Sequence, residues 1–130
     1  MNDNNLWGEL PEPIADIENM PLSTLQEQAI FLGRLSRGLL MGRVSDCDGM
    51  IYRHSLKIIV PLLNYYSYTI LTCTVFGKGR AILTDLESEQ KHECNDETEF
   101  REALQKILQS DEVRKVLGTL LAQARAECDR

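Results

Sequence analysis

The side chains best suited to chemistry in this chain of 130 residues are few and scattered. His92, Glu93 and Cys94 stand together in a polar run, where an imidazole could activate a thiol or the group could join a metal's ligand set. Adjacency in sequence is not enough for either chemistry. A zinc site wants about four ligands at close loop spacing, and a cysteine nucleophile needs a base placed by the fold. His54 lies among apolar neighbours and reads as a buried structural histidine. Cys47, Cys73, Cys94 and Cys128 are far apart with no C-x-x-C pair, so reduced thiols are expected. The acids Glu87, Glu89, Glu93, Asp96, Glu97 and Glu99 lack the spacing of a calcium loop, and Asp46-Cys47-Asp48-Gly49 is too short for one. Acids gathered before a helix instead complement its dipole. There is no G-x-G-x-x-G, phosphate loop, G-x-S-x-G or H-E-x-x-H, so the common motif-bearing enzyme classes find no support, and no cofactor or metal is called for.

A second chemistry is recognition, and here charge is informative. Residues 1–33 carry six acids and no base, residues 34–80 seven bases against two acids, and residues 81–130 twelve acids against seven bases. The basic middle coincides with the segment richest in strand formers, so a locally positive surface is expected on an acidic protein of net charge -6. Alternation predicts one sheet face bearing Arg43, Arg53, Ser55, Lys57, Ser67 and Thr69, cations and hydroxyls suited to a carboxylate or phosphate. An ordinary solvated sheet face has the same composition. Tyr52, Tyr65, Tyr66 and Tyr68 suit a contact surface, although Tyr66 and Tyr68 share parity with Ile70 and read as core. Trp7 and Leu10, in an acidic proline-spaced arm, could dock on a partner or on the chain's own body.

The elements that must position these groups follow from periodicity. Residues 1–20 read as an acidic extended arm and residues 21–130 as one α+β domain. A helix is predicted from Ser23, capped by its hydroxyl, with Leu25, Ala29, Leu32 and Leu35 on one face and Gly38 as its stop. Strands are predicted over residues 39–45, 50–60, 65–76 and 80–85, joined by short turns into a four-stranded antiparallel meander. In the second of these, Tyr52, His54, Leu56, Ile58 and Val60 alternate with Arg53, Ser55 and Lys57. Residues 87–95 read as a loop. Asp96 and Ser110 then cap two helices, striped by Phe100, Leu104 and Ile107 and by Val113, Val116, Leu117, Leu120 and Ala124. One N-terminal and two C-terminal helices would cover one sheet face and leave the other open.

The longest apolar runs are far shorter than the roughly 20 residues of a membrane helix, and the N-terminus lacks a secretory pattern, so a cytoplasmic location is expected. The net charge argues against nucleic acid, although Arg34, Arg37, Arg43, Arg53, Lys57, Lys78 and Arg80 form a basic block. The expected function is a small interaction protein, an adaptor, inhibitor or immunity-like partner, contacting another protein through the open sheet face and the arm. Self-association through an edge strand or the last helix is a further expectation. The alternative is a small-ligand binder or enzyme with a pocket between the sheet and the first helix, lined by Tyr52, His54 and Tyr68.

Overall fold

The computed structural model describes residues 6, 8–11, 20–47, 50–76 and 80–129, and the backbone alone at 47, 50 and 51. Its elements run α1 (Met20–Leu35), β1 (Met41–Cys47), β2 (Met50–Val60), β3 (Tyr66–Val75), β4 (Ala81–Asp85), β5 (Lys91–Cys94), α2 (Glu97–Leu108) and α3 (Asp111–Cys128). The strands form one antiparallel sheet in the order β1-β2-β3-β4-β5, each paired with its sequence neighbour. The expected α+β architecture is present, with one more strand than the pattern predicted. The extra strand, β5, lies inside the run read as a loop. Its four residues alternate, with Cys94 opposite Ala81 and His92 opposite Leu83, while Lys91 and Glu93 take the other face. The hairpin before it is held by Asp85, whose Oδ1 accepts the Glu87 N–H at 2.9 Å.

Sheet polarity is set by the irregularity between β2 and β3. Leu56 pairs with Leu71 but Lys57 pairs with Thr69, so Ile70 is an extra residue on β3. This bulge lets Ile70 and Leu71, consecutive in sequence, both enter the core. It also reverses the parity beyond it, so that Cys73 and Val75 follow Tyr68 on the core side while Thr72 and Thr74 join Ser67 and Thr69 on the other.

The three helices cover the core side. Leu25 and Ala29 of α1, Phe100, Leu104 and Ile107 of α2, and Val113, Leu120 and Ala124 of α3 share one cluster with Leu56, Ile58, Val60, Leu71, Cys73 and Leu83. Helix α1 begins three residues before the predicted Ser23, with Pro21 buried in its first turn, where a missing N–H costs nothing. At its other end the left-handed residue taking the stop is Arg37 (φ 53°), one before Gly38 (φ 84°). The Gly38 N–H reaches the Gly33 carbonyl at 2.9 Å and the Arg37 N–H the Arg34 carbonyl at 3.1 Å, the paired bonds of a Schellman closure. Ser36 then ties the helix to the sheet, accepting the Leu40 N–H at 3.0 Å. The caps of α2 and α3 are those predicted: Asp96 accepts the Glu99 N–H at 2.8 Å and Ser110 the Val113 N–H at 3.3 Å. Helix α3 packs against the 3-10 turn Pro61–Leu63 that joins β2 to β3.

α1 approaches β1 so closely that only glycine fits at position 42. A Cβ there would lie 2.4 Å from the Ala29 Cα and 2.8 Å from the Ala29 carbonyl oxygen. Both are main-chain atoms, so helix and strand would have to separate. Gly42→Ala is therefore expected to lower unfolding free energy by about 3 kcal/mol. Gly118→Ala, where nothing lies within 4 Å of the new methyl, should raise it by about 1 kcal/mol through helix propensity. Urea denaturation of the two variants measures both signs.

Candidate functional site

The register assigns Arg43, Arg53, Ser55, Lys57, Ser67 and Thr69 to the face opposite the helices, in rows that cross the strands. One row runs Met41, Ile59, Ser67; the next Arg43, Lys57, Thr69; the next Ser45, Ser55, Thr72, Thr84, Lys91; and the last Arg53, Thr74, Ile82, Glu93. Arg43 and Lys57 are directly opposed like charges, an arrangement that costs stability unless an anion lies between them. Among the described residues none of Arg43, Arg53 and Lys57 forms an ion pair. Ile59 is only 5% exposed yet stands outside the main core cluster, so the cationic row borders a small apolar spot shared with Met41.

The six expected residues are not equivalent. Arg43, Arg53 and Ser67 are exposed and Lys57 and Thr69 half-buried, but Ser55 is 3% exposed. Its hydroxyl is engaged within the sheet, 3.2 Å from the Ser45 hydroxyl and 3.4 Å from the Ser45 carbonyl oxygen. Ser55 thus supports the surface from beneath. Ser45 and Thr84 also lie on this face, as do Thr72 and Thr74, which reach it through a bulge invisible to a simple period of two. Arg34 and Arg37 sit at the end of α1, so the basic block is divided between surfaces. Trp7, and Lys78 of the same basic block, lie outside the described residues; the neighbouring arm residues Leu6 and Leu10 are exposed.

On the helix-covered face, Asp46, His54 and Cys73 occupy one row in the order of an acid, a base and a nucleophile. The His54 Nδ1 lies 3.0 Å from the Asp46 Oδ1, which fixes the ring of this buried histidine. Cys73 is 0% exposed, and burial, followed by the neighbouring Cys94, pushes its thiol up to about 12. It is a neutral thiol at pH 7, sealed from any substrate. Cys94 is likewise buried; its thiol donates to the His92 carbonyl at 3.6 Å and is pushed up to about 11 by burial and then by the Glu99 and Asp96 carboxylates. The adjacent His92 and Cys94 therefore do not form an activated pair. Among the described residues no group of three or more His, Cys, Asp or Glu side chains is placed to hold a metal ion.

The structure does not bring together Tyr52, His54 and Tyr68, the lining expected for a pocket between sheet and first helix; a cavity with a different lining lies between the sheet and the helices. Tyr52 and His54 sit near one end of β2, whereas Tyr68 pairs with Ile58 near the other. They do not converge. The cavity, of about 500 Å3, has Leu56 and Ile70 as its floor and Leu32, Leu104, Leu108 and Leu117 among its walls. Tyr66 and Tyr68 instead border a more open groove against α3, beside Glu112 and Lys115. Tyr65 and Asn64 both have left-handed backbone (φ 59° and 58°), which for an exposed tyrosine is an uncommon, strained conformation at the start of β3.

No family model, curated protein or solved structure matches this chain. The reading of the site accordingly rests on its geometry.

The raised thiols give a pH dependence whose sign is fixed. In the unfolded chain both ionise near 9.0, whereas in the fold Cys94 resists to about 11 and Cys73 to about 12. Protons are retained by the native state in that window, so stability is intact below pH 9.0 and falls as pH rises through it. Thermal melts should show this alkaline decline in the wild type and a shallower one in Cys73→Val. Site-resolved alkylation at neutral pH should modify exposed Cys128 well before Cys73 and Cys94.

Proposed function

We propose that this chain is a small cytoplasmic protein-protein interaction module, an adaptor, inhibitor or immunity-like protein, that receives an acidic segment of a macromolecular partner on its open sheet face. Arg43, Arg53 and Lys57 are the contacts carrying charge, Ser67 and Thr69 those supplying hydroxyls, and the acidic arm with Trp7 a second point of attachment. The single observation behind this reading is the cation row, which forms no ion pair among the described residues. An opposed Arg43 and Lys57 repel each other in the free protein, and a partner carboxylate between them would turn that repulsion into two charge-assisted bonds. Tyr65 and Leu62, exposed where β3 begins, add apolar area at the same end of the sheet as Ser67. Among the described residues no helix is long and apolar enough to cross a membrane.

The alternative, a small-ligand-binding protein with its pocket between sheet and first helix, is favoured by the cavity over Leu56 and Ile70. It uses the opposite side of the sheet, so the two readings do not compete for residues.

The open-face reading is tested by affinity capture from the source organism with the wild type, with Arg53→Glu/Lys57→Glu and with Lys106→Glu on α2 as a control. Capture of the same partner should weaken about tenfold or more in the double variant, persist in the control and decline with added salt. Undiminished capture by the double variant would remove the sheet face from the interaction. Binding to random duplex DNA that falls steeply with salt would replace the protein partner with nucleic acid.

A further inference from the structure

We infer that the cavity between α1, α2 and α3 is a binding site for a long-chain carboxylate, an amphiphile with one aliphatic tail and one anionic head. The inference rests on the ligand-pocket reading and specifies its ligand, and it is independent of the open sheet face.

The cavity's polarity is sorted by depth. Its inner surface is made by buried apolar side chains, Leu56 and Ile70 on the sheet, Ala29 on α1, Leu104 on α2 and Val113 on α3. Of its polar lining residues, Arg101, Gln105 and Gln109 are exposed and Gln28 is half-buried, which places them at the rim, while Thr24 of α1 is a buried polar side chain among the apolar ones. At about 500 Å3 the space falls within the range of small-molecule pockets, about 300–1,000 Å3. The sheet lies beneath it and helices flank it, an enclosure suited to a thin tail and too small for a partner helix some 10 Å across.

The head group is specified by charge. Arg101 is the ionisable residue in the lining, and no carboxylate among the described residues lines the cavity. Its Nε is 3.2 Å from the Glu97 Oε1 across one helical turn. That pair is exposed and weak, and it engages one of five guanidinium donors, leaving the terminal nitrogens to grip a carboxylate in a bidentate manner. Gln105 on α2 and Gln109 at its C-cap follow Arg101 at intervals of four and add amide donors at the mouth. Phe31 and Leu35 of α1, the latter 82% exposed, extend the apolar surface beyond the lip and give the tail a longer track than the buried part alone.

The test is calorimetric titration of the full chain with dodecanoate and with dodecanol, each kept below its aggregation limit, alongside Arg101→Gln and Leu35→Glu. Both substitutions are at exposed positions, and equal urea midpoints would show that the fold is retained. Saturable one-to-one binding of dodecanoate at micromolar concentration is expected, with affinity rising from octanoate to dodecanoate and dodecanol about tenfold weaker. Arg101→Gln should abolish the preference for the acid, and Leu35→Glu should weaken the acid about tenfold by repulsion at the lip. Equal binding of acid and alcohol would overturn the anionic head while leaving a ligand pocket; binding of neither would overturn the pocket reading as well. Dodecanoate binding only after removal of residues 1–19 would assign the cavity to the chain's own arm. A wild-type dimer that Leu35→Glu dissociates, in sedimentation, would assign it to a second copy. Either result overturns the proposal.

Discussion

The extra residue at Ile70 is the constraint on which the two surfaces of this protein depend. A strand with strict alternation that buried Tyr68 and Ile70 would have turned Leu71, Cys73 and Val75 to water and Thr72 and Thr74 into the core. By leaving Ile70 without a partner on β2, the bulge keeps the aliphatic residues and Cys73 of β3 under the helices and its serine and threonine hydroxyls on the open side. The hydroxyl row can then cross from Ser45 on β1 to Thr84 on β4 without interruption. The same residue is half the floor of the cavity on the other side, so one irregularity shapes both candidate surfaces.

The close contact at Gly42 complements it. With no side chain between them, α1 rests directly on β1, near one edge of the sheet, while α2 rests on β4 and β5 toward the other. The middle strands are roofed less completely, and the cavity opens over Leu56 of β2 and Ile70 of β3. Groups that in another fold could do covalent chemistry are here used for structure. Asp46 orients His54, and the thiols of Cys73 and Cys94 are held neutral by burial.

Much of this was legible in the sequence, for reasons that can be named. Arg53, Ser55 and Lys57 alternate with His54, Leu56 and Ile58, so β2 and the direction of its side chains follow from a period of two. Asp96 and Ser110 announce their helices by cap chemistry that is local and therefore readable. Strand β5 was not, since Lys91-His92-Glu93-Cys94 has the right alternation but too little hydrophobicity to distinguish it from a polar loop. Pro21, suited to a first turn, marks the true start of α1. Gly38 is the residue type that favours a left-handed stop, yet Arg37 before it takes that conformation first, despite its side chain. The cavity lay beyond reach, because its shape depends on the spacing between helices far apart in sequence, and no local pattern records that distance.

The neighbour-to-neighbour order of the sheet has a consequence for how the chain acquires its shape. Every ladder joins segments adjacent in sequence, so the five strands can zip together through short loop closures, a topology associated with rapid folding. Helix α3 is different, reaching back to the turn at Pro61–Leu63 across some fifty residues of chain. During synthesis the sheet can be complete while part of its apolar side still awaits that helix, so the interval before α3 emerges is when a nascent chain is most exposed to misassociation.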